Sequence, residues 1–541
     1  MTFSAFLAEP RAARCWLLEL DAFPLAPLSV ETPSGAFDEA AFSEMAFSEA
    51  DADSYGAVET LCYSDRGYAS KSTDTPASTY YGARLREDLA IERKLYGRAG
   101  VGGFTRIFGA ISLINTDGAL DTLLRDYAID GRNARLRVGR PTDARADFGL
   151  VFAGVVDRAT VSLDRVELQL SDGLARLDVP LNSTVYAGTG SLEGGSDLAG
   201  KPKPKGYGVN RNISPPLVES ALLIYQVHDG VISDVPSCWD RQIALTKGAD
   251  YASQSDMTTN APAAGQYRVW KGGGFIRLGS TPAGTVTCDL LGDATGSYID
   301  KTADIVQRLL TNAGLSGGEI AAAAIAALNT AAPAVVGTWR GAEPAMVSEV
   351  VEELLAGVGA FGGFNRSGLF TCAVIDSAAG SPAAAYTETE ILDLVREPLP
   401  APVEPAVWRA LVAWQKNYTV QTDLASGVTA ARRTFAAESE RVSVKDNATV
   451  QSQHRLAMVY GPTGNLYDVQ ADADTEGQRL LDLWSSGRMF LRATLPPTAL
   501  ERDLGDEVTL THARFGLASG AGARVLGHAV RIDRVDLTVL V

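Results

Sequence analysis

The sequence predicts an α+β fold dominated by strands, on three observations. Glycine (53) and proline (24) punctuate the whole chain, which favours many short strands over a few long helices. Long stretches alternate apolar and polar residues with a period of two, the mark of half-buried strands. A pattern of strands around one short helix, running from Tyr80 to Leu181, recurs from Trp408 to Val541. Two similar closed or nearly closed barrels are therefore expected, with a small β domain and an α/β insert between them.

The 541 residues exceed the roughly 250–300 at which single cores stop growing, so two to four domains are expected. With 46% apolar and 21% charged residues, the chain can bury a large core and is too apolar for disorder. The net charge of −17 argues against nucleic-acid binding, which needs a surplus of Lys and Arg to neutralise phosphates. An acidic wall can still serve a channel that DNA passes without sticking. Cys15, Cys62, Cys238, Cys288 and Cys372 are scattered, with no CxxC or CxxxH spacing, so zinc and disulfide scaffolds are not expected. The five read as buried small hydrophobes in a reducing cytoplasm. Residues 1–20 lack a basic start followed by a long apolar run, so a soluble protein without a signal peptide is expected.

Residues 1–198 read as an N-terminal arm and the first barrel. A first strand lies between Arg11 and Phe23, and then Ala36-Phe-Asp-Glu39, Ala41-Phe-Ser-Glu44 and Ala46-Phe-Ser-Glu49 echo one another at a spacing of five. Five matches neither a helix face nor a strand face. Either an extended arm anchors Phe37, Phe42 and Phe47 on a neighbour, or a loop folds onto its own domain. After Asn115-Thr-Asp117, Leu120, Leu123, Leu124 and Tyr127 follow helical spacing, and strands follow at 132–138, 151–156 and 166–170.

Residues 199–290 read as a small β domain entered through the Lys201-Pro-Lys203-Pro-Lys205 linker. Alternating proline favours an extended, hydrogen-bond-poor chain, and these three lysines are the most basic spot in the sequence. They read as a solvated connector or as a dock for an acidic neighbour. Residues 291–400 form a helix-rich α/β domain, with helices at 298–314, 319–329 and 345–358 and Gly314 where a C-terminal cap belongs. Residues 401–541 form the second barrel. In it Trp408, Ala410, Val412 and Trp414 alternate, Leu480, Leu481 and Trp484 form a short helix closed by Gly487, and the meander to Val541 slips phase between Ile532 and Val535, implying a bulge.

Candidate chemistry is sparse. Gly314-Leu-Ser-Gly-Gly318 matches the string of a serine-hydrolase elbow, but it follows a helix where the elbow must follow a strand. Ser316 therefore reads as a cap or loop residue. Asp51-Ala-Asp-Ser-Tyr-Gly56 and Asp472-Ala-Asp-Thr-Glu-Gly477 imitate half a calcium loop, with Cys62 and Leu483 where a bidentate Glu belongs. His228, His454, His512 and His528 make no zinc spacing, although His512 and His528 could face each other across a hairpin loop. No catalytic, metal or cofactor-binding residue is assigned, no cofactor is expected, and the chain reads as a non-enzyme.

Three passages carry a resemblance. They are Phe108-Gly-Ala-Ile-Ser-Leu-Ile-Asn-Thr-Asp-Gly118 with Asp130-Gly-Arg132, Lys203-Pro-Lys-Gly-Tyr-Gly208 with Tyr225-Gln-Val-His-Asp-Gly230, and Ile305 to Gly314 with Leu504-Gly-Asp-Glu-Val508. Together they resemble the baseplate or tail-tip hub proteins of long-tailed bacteriophages and phage-like particles. The resemblance implies two tail-tube-like barrels per subunit, and a homotrimer presenting six similar faces to a six-fold tube. It also implies a virion location at the tail tip after assembly in the host cytoplasm. Implied partners are the tail tube or distal tail protein and a receptor-binding or central fibre protein, with DNA only in transit and no stable membrane insertion. Phe37, Phe42, Phe47, Lys201, Lys203 and Lys205 are the candidate partner contacts. Two other readings stand beside the hub. One is a distal tail adaptor or receptor-binding protein holding a glycan through Tyr251, Tyr267 and Trp270; the other is an envelope hydrolase using Ser316 or scattered carboxylates.

Overall fold

The computed structural model describes residues 3–7, 9, 12–25, 57–86, 89–97, 100–101, 103–104, 108–399, 403–464, 466–485 and 487–541. Phe37, Phe42, Phe47 and the first calcium-like string lie outside them. The mainly β, α+β class predicted from the sequence is what the structure shows.

Its largest sheet has 16 strands. The path runs from Asp393–Glu397 through Phe490–Leu495, Val535–Leu540 and Ala521–Val530 to the short strand Ala90–Lys94. It continues through Phe108–Ile114, Arg165–Ser171, Gly149–Val161, Asn133–Gly139 and Cys15–Pro24, and ends with Glu59–Ser64, Tyr80–Ala83 and Tyr68–Ala69. Strands from both expected barrels thus lie in one sheet, whose path stays open; no closed barrel occurs among the described residues. The reason is visible in the inward residues. Leu18, Leu136, Phe152 and Leu168 from the first block share one core with Leu491, Leu495, Val525, Leu537 and Val539 from the second. Each block covers the other's apolar face, so neither has to curl onto itself.

Along one edge, Ala521–Val530 serves two partners. Residues 521–524 pair with Glu507–Leu510, and residues 527–530 pair with Ala90–Lys94. The changeover coincides with a register break at Val525/Gly527. Val525 points into the shared core, whereas its neighbour Leu526 points into a second core on the other face. The bulge expected between Ile532 and Val535 is not the source of the phase slip there. Residues 531–534 instead form the hairpin turn, with Arg531 N donating to Arg534 O at 2.9 Å, and a turn resets the inward set without an extra residue.

Two five-stranded sheets enclose a smaller core of Tyr225, Val235, Tyr267, Ile276 and Leu290. One of them borrows Gly337–Arg340 from the helix-rich stretch. There Gly208 sits at φ +64°, and a Cβ on it would lie 2.0 Å from the Val336 carbonyl oxygen, so the close approach of the two strands demands glycine.

The helices Thr302–Asn312, Ala322–Ala331 and Val347–Gly357 match their predicted positions. Gly314 takes φ +92° beyond the first of them, the left-handed cap that its position implied. Two other helices differ in length from the prediction. The one near residue 120 is only Leu123–Asp126, because Tyr127–Ala128 is drawn into pairing with the end of Cys15–Pro24. The one before Gly487 runs over Gln470–Trp484 and takes the second calcium-like string into its first turns, where acids favour the helix N-terminus. It packs Ala473, Leu480 and Leu481 against Val407–Trp414 in the second core.

A Leu537→Ala substitution removes a fully buried side chain from the core that both blocks share. The expected cost is about 2–5 kcal/mol. Calorimetry should show the transition of the large sheet moving down as a unit, and limited proteolysis should find the strands of both blocks sensitised together.

Candidate functional site

The Lys-Pro segment is built into the fold and does not run free through solvent. Lys201 O accepts from Tyr186 N at 2.9 Å, Lys203 N donates to Thr184 O at 3.0 Å, and Pro204 O accepts from Asp229 N at 2.7 Å. Lys203 Nζ reaches Glu193 Oε1 at 2.7 Å and lies over the Tyr186 ring. Lys205 Nζ donates to Asp229 O at 2.5 Å. Of the three candidate lysines only Lys201 is exposed. Sequence alone could not show this, because the partners come from two other segments, residues 184–193 and Asp229.

The enzyme-like strings come to nothing catalytic among the described residues. Ser316 is the N-cap of a short 3-10 turn, with its Oγ 2.8 Å from Glu319 Oε2. Glu319 in turn pairs with Arg176, which holds its carboxyl down at about 2 through that hydrogen bond. A carboxylate so tied is a poor base. His512 accepts from Arg514 N within its own loop, while His528 is buried against Arg93, so both are structural histidines and do not face each other as a pair. No cluster of His, Cys, Asp or Glu suited to a metal and no helix long and apolar enough to cross a membrane occurs among the described residues.

Of the aromatic platform proposed for a glycan, two residues are core and Trp270 is half-buried. Tyr251 and Tyr267 are 4% and 0% exposed. Tyr267 donates to Val235 O at 3.0 Å, and the Arg268 guanidinium lies 3.8 Å over the Tyr251 ring. Trp270 stacks on Phe275. Alternation in a strand marks one face as apolar, but a sandwich then covers that face.

What the fold does assemble are buried polar joints between distant segments. At the seam of the large sheet, Arg93 pairs with Asp503, and its Nη2 lies 3.2 Å from His528 Nδ1. Burial and Arg93 push His528 well below its ordinary value, so the ring is neutral and that nitrogen accepts. Arg366 binds the same Asp503 through its backbone N at 3.1 Å and reaches Leu150 O at 2.6 Å. Two distant chain segments therefore converge on the Asp503 carboxylate.

A second joint ties the small β unit to the C-terminal strands. Arg211 forks onto Asp468 with two bonds of 2.7 Å and reaches Asp289 at 3.0 Å. Beside it the Arg432 guanidinium lies 3.6 Å over Trp239 and 4.6 Å over Phe435, and Arg441 lies over Phe435 and Trp414 at 4.7 and 5.5 Å. The result is a ladder of alternating aromatic and guanidinium groups, each step attractive through the ring quadrupole. Burial lowers Arg432 to about 10, which leaves it charged at neutral pH.

Two surfaces remain open. Helix Gln470–Trp484 covers one face of the sheet made by Val407–Trp414, Arg441–Asp446 and Met458–Gly464; the other face presents Val442, Val444 and Val459, each more than 40% exposed. A cleft of about 640 Å³ lies along the same helix. Its charges are largely paired, Arg479 with Glu476 at 2.7 Å and Lys445 with Asp474 at 3.4 Å.

No known protein family and no curated protein matches the sequence. Solved structures do. A tail protein from Neisseria meningitidis MC58 is 10% identical with a TM-score of 0.38, over 84% of this chain and 92% of that one. The chain is similar to phage and prophage tail proteins. The prophage tail protein gp18 of Listeria monocytogenes EGD-e is 7% identical with a TM-score of 0.33, over 86% and 92%. The 43 kDa tail protein of prophage MuSo2 from Shewanella oneidensis is 8% identical with a TM-score of 0.32, over 86% and 96%.

Glu19 is a deeply buried carboxylate, 1% exposed on the Cys15–Pro24 strand. Burial alone would raise its pKa, but Arg145 Nε at 2.6 Å, Tyr81 Oη at 2.9 Å and Arg137 Nε at 3.5 Å override that and hold it below its ordinary value. The unfolded chain therefore binds this proton more readily than the folded one. The stabilisation is fully present above the ordinary glutamate pKa of about 4.3 and fades as pH falls through the lower folded value. Glu19→Gln should cost on the order of 3 kcal/mol at pH 7. The melting midpoints of the two proteins should converge as pH drops below about 4, and a pH-independent gap would refute the assignment.

Proposed function

We propose that this chain is a structural hub of a phage-like tail tip, a homotrimer that joins the tail tube to distal receptor-binding or puncturing components. One observation carries the reading: two strand-rich blocks far apart in sequence lie side by side in a single sheet over a common core. A subunit built of two strand halves lets three copies meet a six-fold tube. The halves differ in their helices, of four and fifteen residues, and the second sets Val407–Trp414, Arg441–Asp446 and Met458–Gly464 apart in a sheet of their own, so any equivalence resides in the strands that share the large sheet. The net charge of −17 suits a bore through which DNA passes without adsorbing. The Phe37, Phe42 and Phe47 echo, together with exposed Lys201, supplies contacts to neighbouring tail proteins.

The buried joints support the same role. A hub has to hold its parts in fixed orientation, and the Arg93–Asp503 and Arg211–Asp468 pairs do this between segments that no loop constrains. Electron microscopy of the tail tip, with light scattering of the purified chain, tests the reading. Three copies on the tube axis are expected; six copies in a ring, or absence from the tip, would overturn the trimeric hub.

A further inference from the structure

We propose that Cys238 and Cys288 form a latent disulfide site, a redox latch that closes across the small β unit on contact with a two-electron oxidant of the peroxide class. The inference stands on geometry alone and does not depend on the tail-tip reading.

The strands Ile232–Asp240 and Val286–Asp293 are antiparallel neighbours, and their register sets Cys238 directly opposite Cys288. Both side chains lie in the same core, 1% and 0% exposed, and both are free thiols. The backbone identifies the kind of pair. Arg241 N donates to Thr285 O at 3.1 Å, which marks 241/285 as a hydrogen-bonded position of this ladder, while Cys238 O turns away to accept from Leu245 N at 2.8 Å. Because hydrogen-bonded and non-bonded pairs alternate, 238/288 is a non-bonded pair, with Cα atoms about 4.5 Å apart. That falls inside the range of roughly 4.4–6.8 Å that a disulfide accepts. The register break in this ladder lies between Asp234 and Ser237, so it does not interrupt the count from 241 to 238.

No other cysteine is so placed. Cys15, Cys62 and Cys372 face Gly139, Glu19 and Gly362 across their own strand pairs.

The step balances. A thiolate of the pair attacks a peroxide oxygen and the O–O bond breaks, leaving a sulfenic acid and a hydroxide that takes up the thiol proton as water. The second sulfur then displaces the sulfenic hydroxyl, forming the S–S bond and releasing a second water. Two electrons pass from the sulfurs to the peroxide. Burial raises both thiols above their ordinary values, so reaction in the closed unit is slow and quickens with pH or with opening of the strands. Once formed, the bond would tie the two strands together around Gln254–Thr259, Gln266–Trp270 and Phe275–Leu278, and so restrict the unfolded chain.

The test exposes the full chain to hydrogen peroxide, alkylates the remaining thiols after unfolding, and maps the peptides. The expected result is a reductant-sensitive peptide linking Cys238 to Cys288, loss of two of the five thiols as a pair, faster closure at higher pH, and a raised melting midpoint. Cys288→Ser should abolish the linked peptide and the midpoint shift while leaving the native fold by circular dichroism. Repeating the treatment in urea just below the unfolding midpoint lets the strands open. If both residues remain alkylatable there while Cys62 is consumed, or if mixed pairings appear, the proposal fails.

Discussion

The five-residue strand Ala90–Lys94 is the constraint on which the large sheet depends. On one side it pairs Ala90 to Glu92 with Phe108–Ile114, and on the other Ile91 to Lys94 with Ala521–Val530. Without it each block would expose a raw strand edge, which proteins avoid because it templates foreign pairing. Its register is held by chemistry as well as by backbone bonds. A slip of one residue would swing Arg93 to the opposite face, away from Asp503 and His528, and strip a buried guanidinium of its partners. Removing one member of a buried pair costs several kcal/mol, whereas the intact pair is close to neutral in stability. The pair therefore selects the register more than it strengthens the sheet.

The same logic extends outward. Arg211 between Asp289 and Asp468, Glu19 beneath Arg145 and Arg137, and Glu507 accepting from the backbone N–H groups of Ala379, Gly380 and Ser381 are charges whose partners come from distant segments. Each is satisfied in one arrangement and stranded in most others. Apolar packing holds the cores together with little regard for direction, and these polar contacts supply the direction.

Much of the fold was legible because local periodicity is a local signal. The helices at 302–312 and 347–357, the strand at 407–414 and the cap at Gly314 follow from spacing and turn chemistry. What failed depends on neighbours that spacing does not reveal. Tyr251, Tyr267 and Trp270 read as exposed aromatics, and nothing local shows that the fold buries the first two and stacks the third on Phe275. Alternating prolines at 202 and 204 promised a connector, yet the carbonyls they leave free are taken by the fold. Full closure of either barrel is absent among the described residues for the same reason: an apolar strand face asks only to be covered, and the other block covers it. The buried joints carried no local signal at all, since Arg93 and His528 are 435 positions apart. The opposed cysteines were hidden likewise, being distant in sequence and adjacent only through the register.

That separation also bears on how the molecule is made. A sheet completed by pairing residues 91–94 with 527–530 cannot close until nearly the whole described chain exists, and long-range pairing is slow because loop closure must precede any reward. The first block must therefore wait with the Ala90–Lys94 edge unpaired. The composition of that edge suits the wait, for Glu92, Arg93 and Lys94 place charges on a short strand, the devices by which proteins keep open edges from pairing wrongly. Arg93 is the residue that changes role. Solvated, it discourages foreign strands; once Asp503 and His528 arrive, it becomes the buried contact that fixes the register. One side chain thus serves against misassembly before the sheet closes and for specificity afterwards.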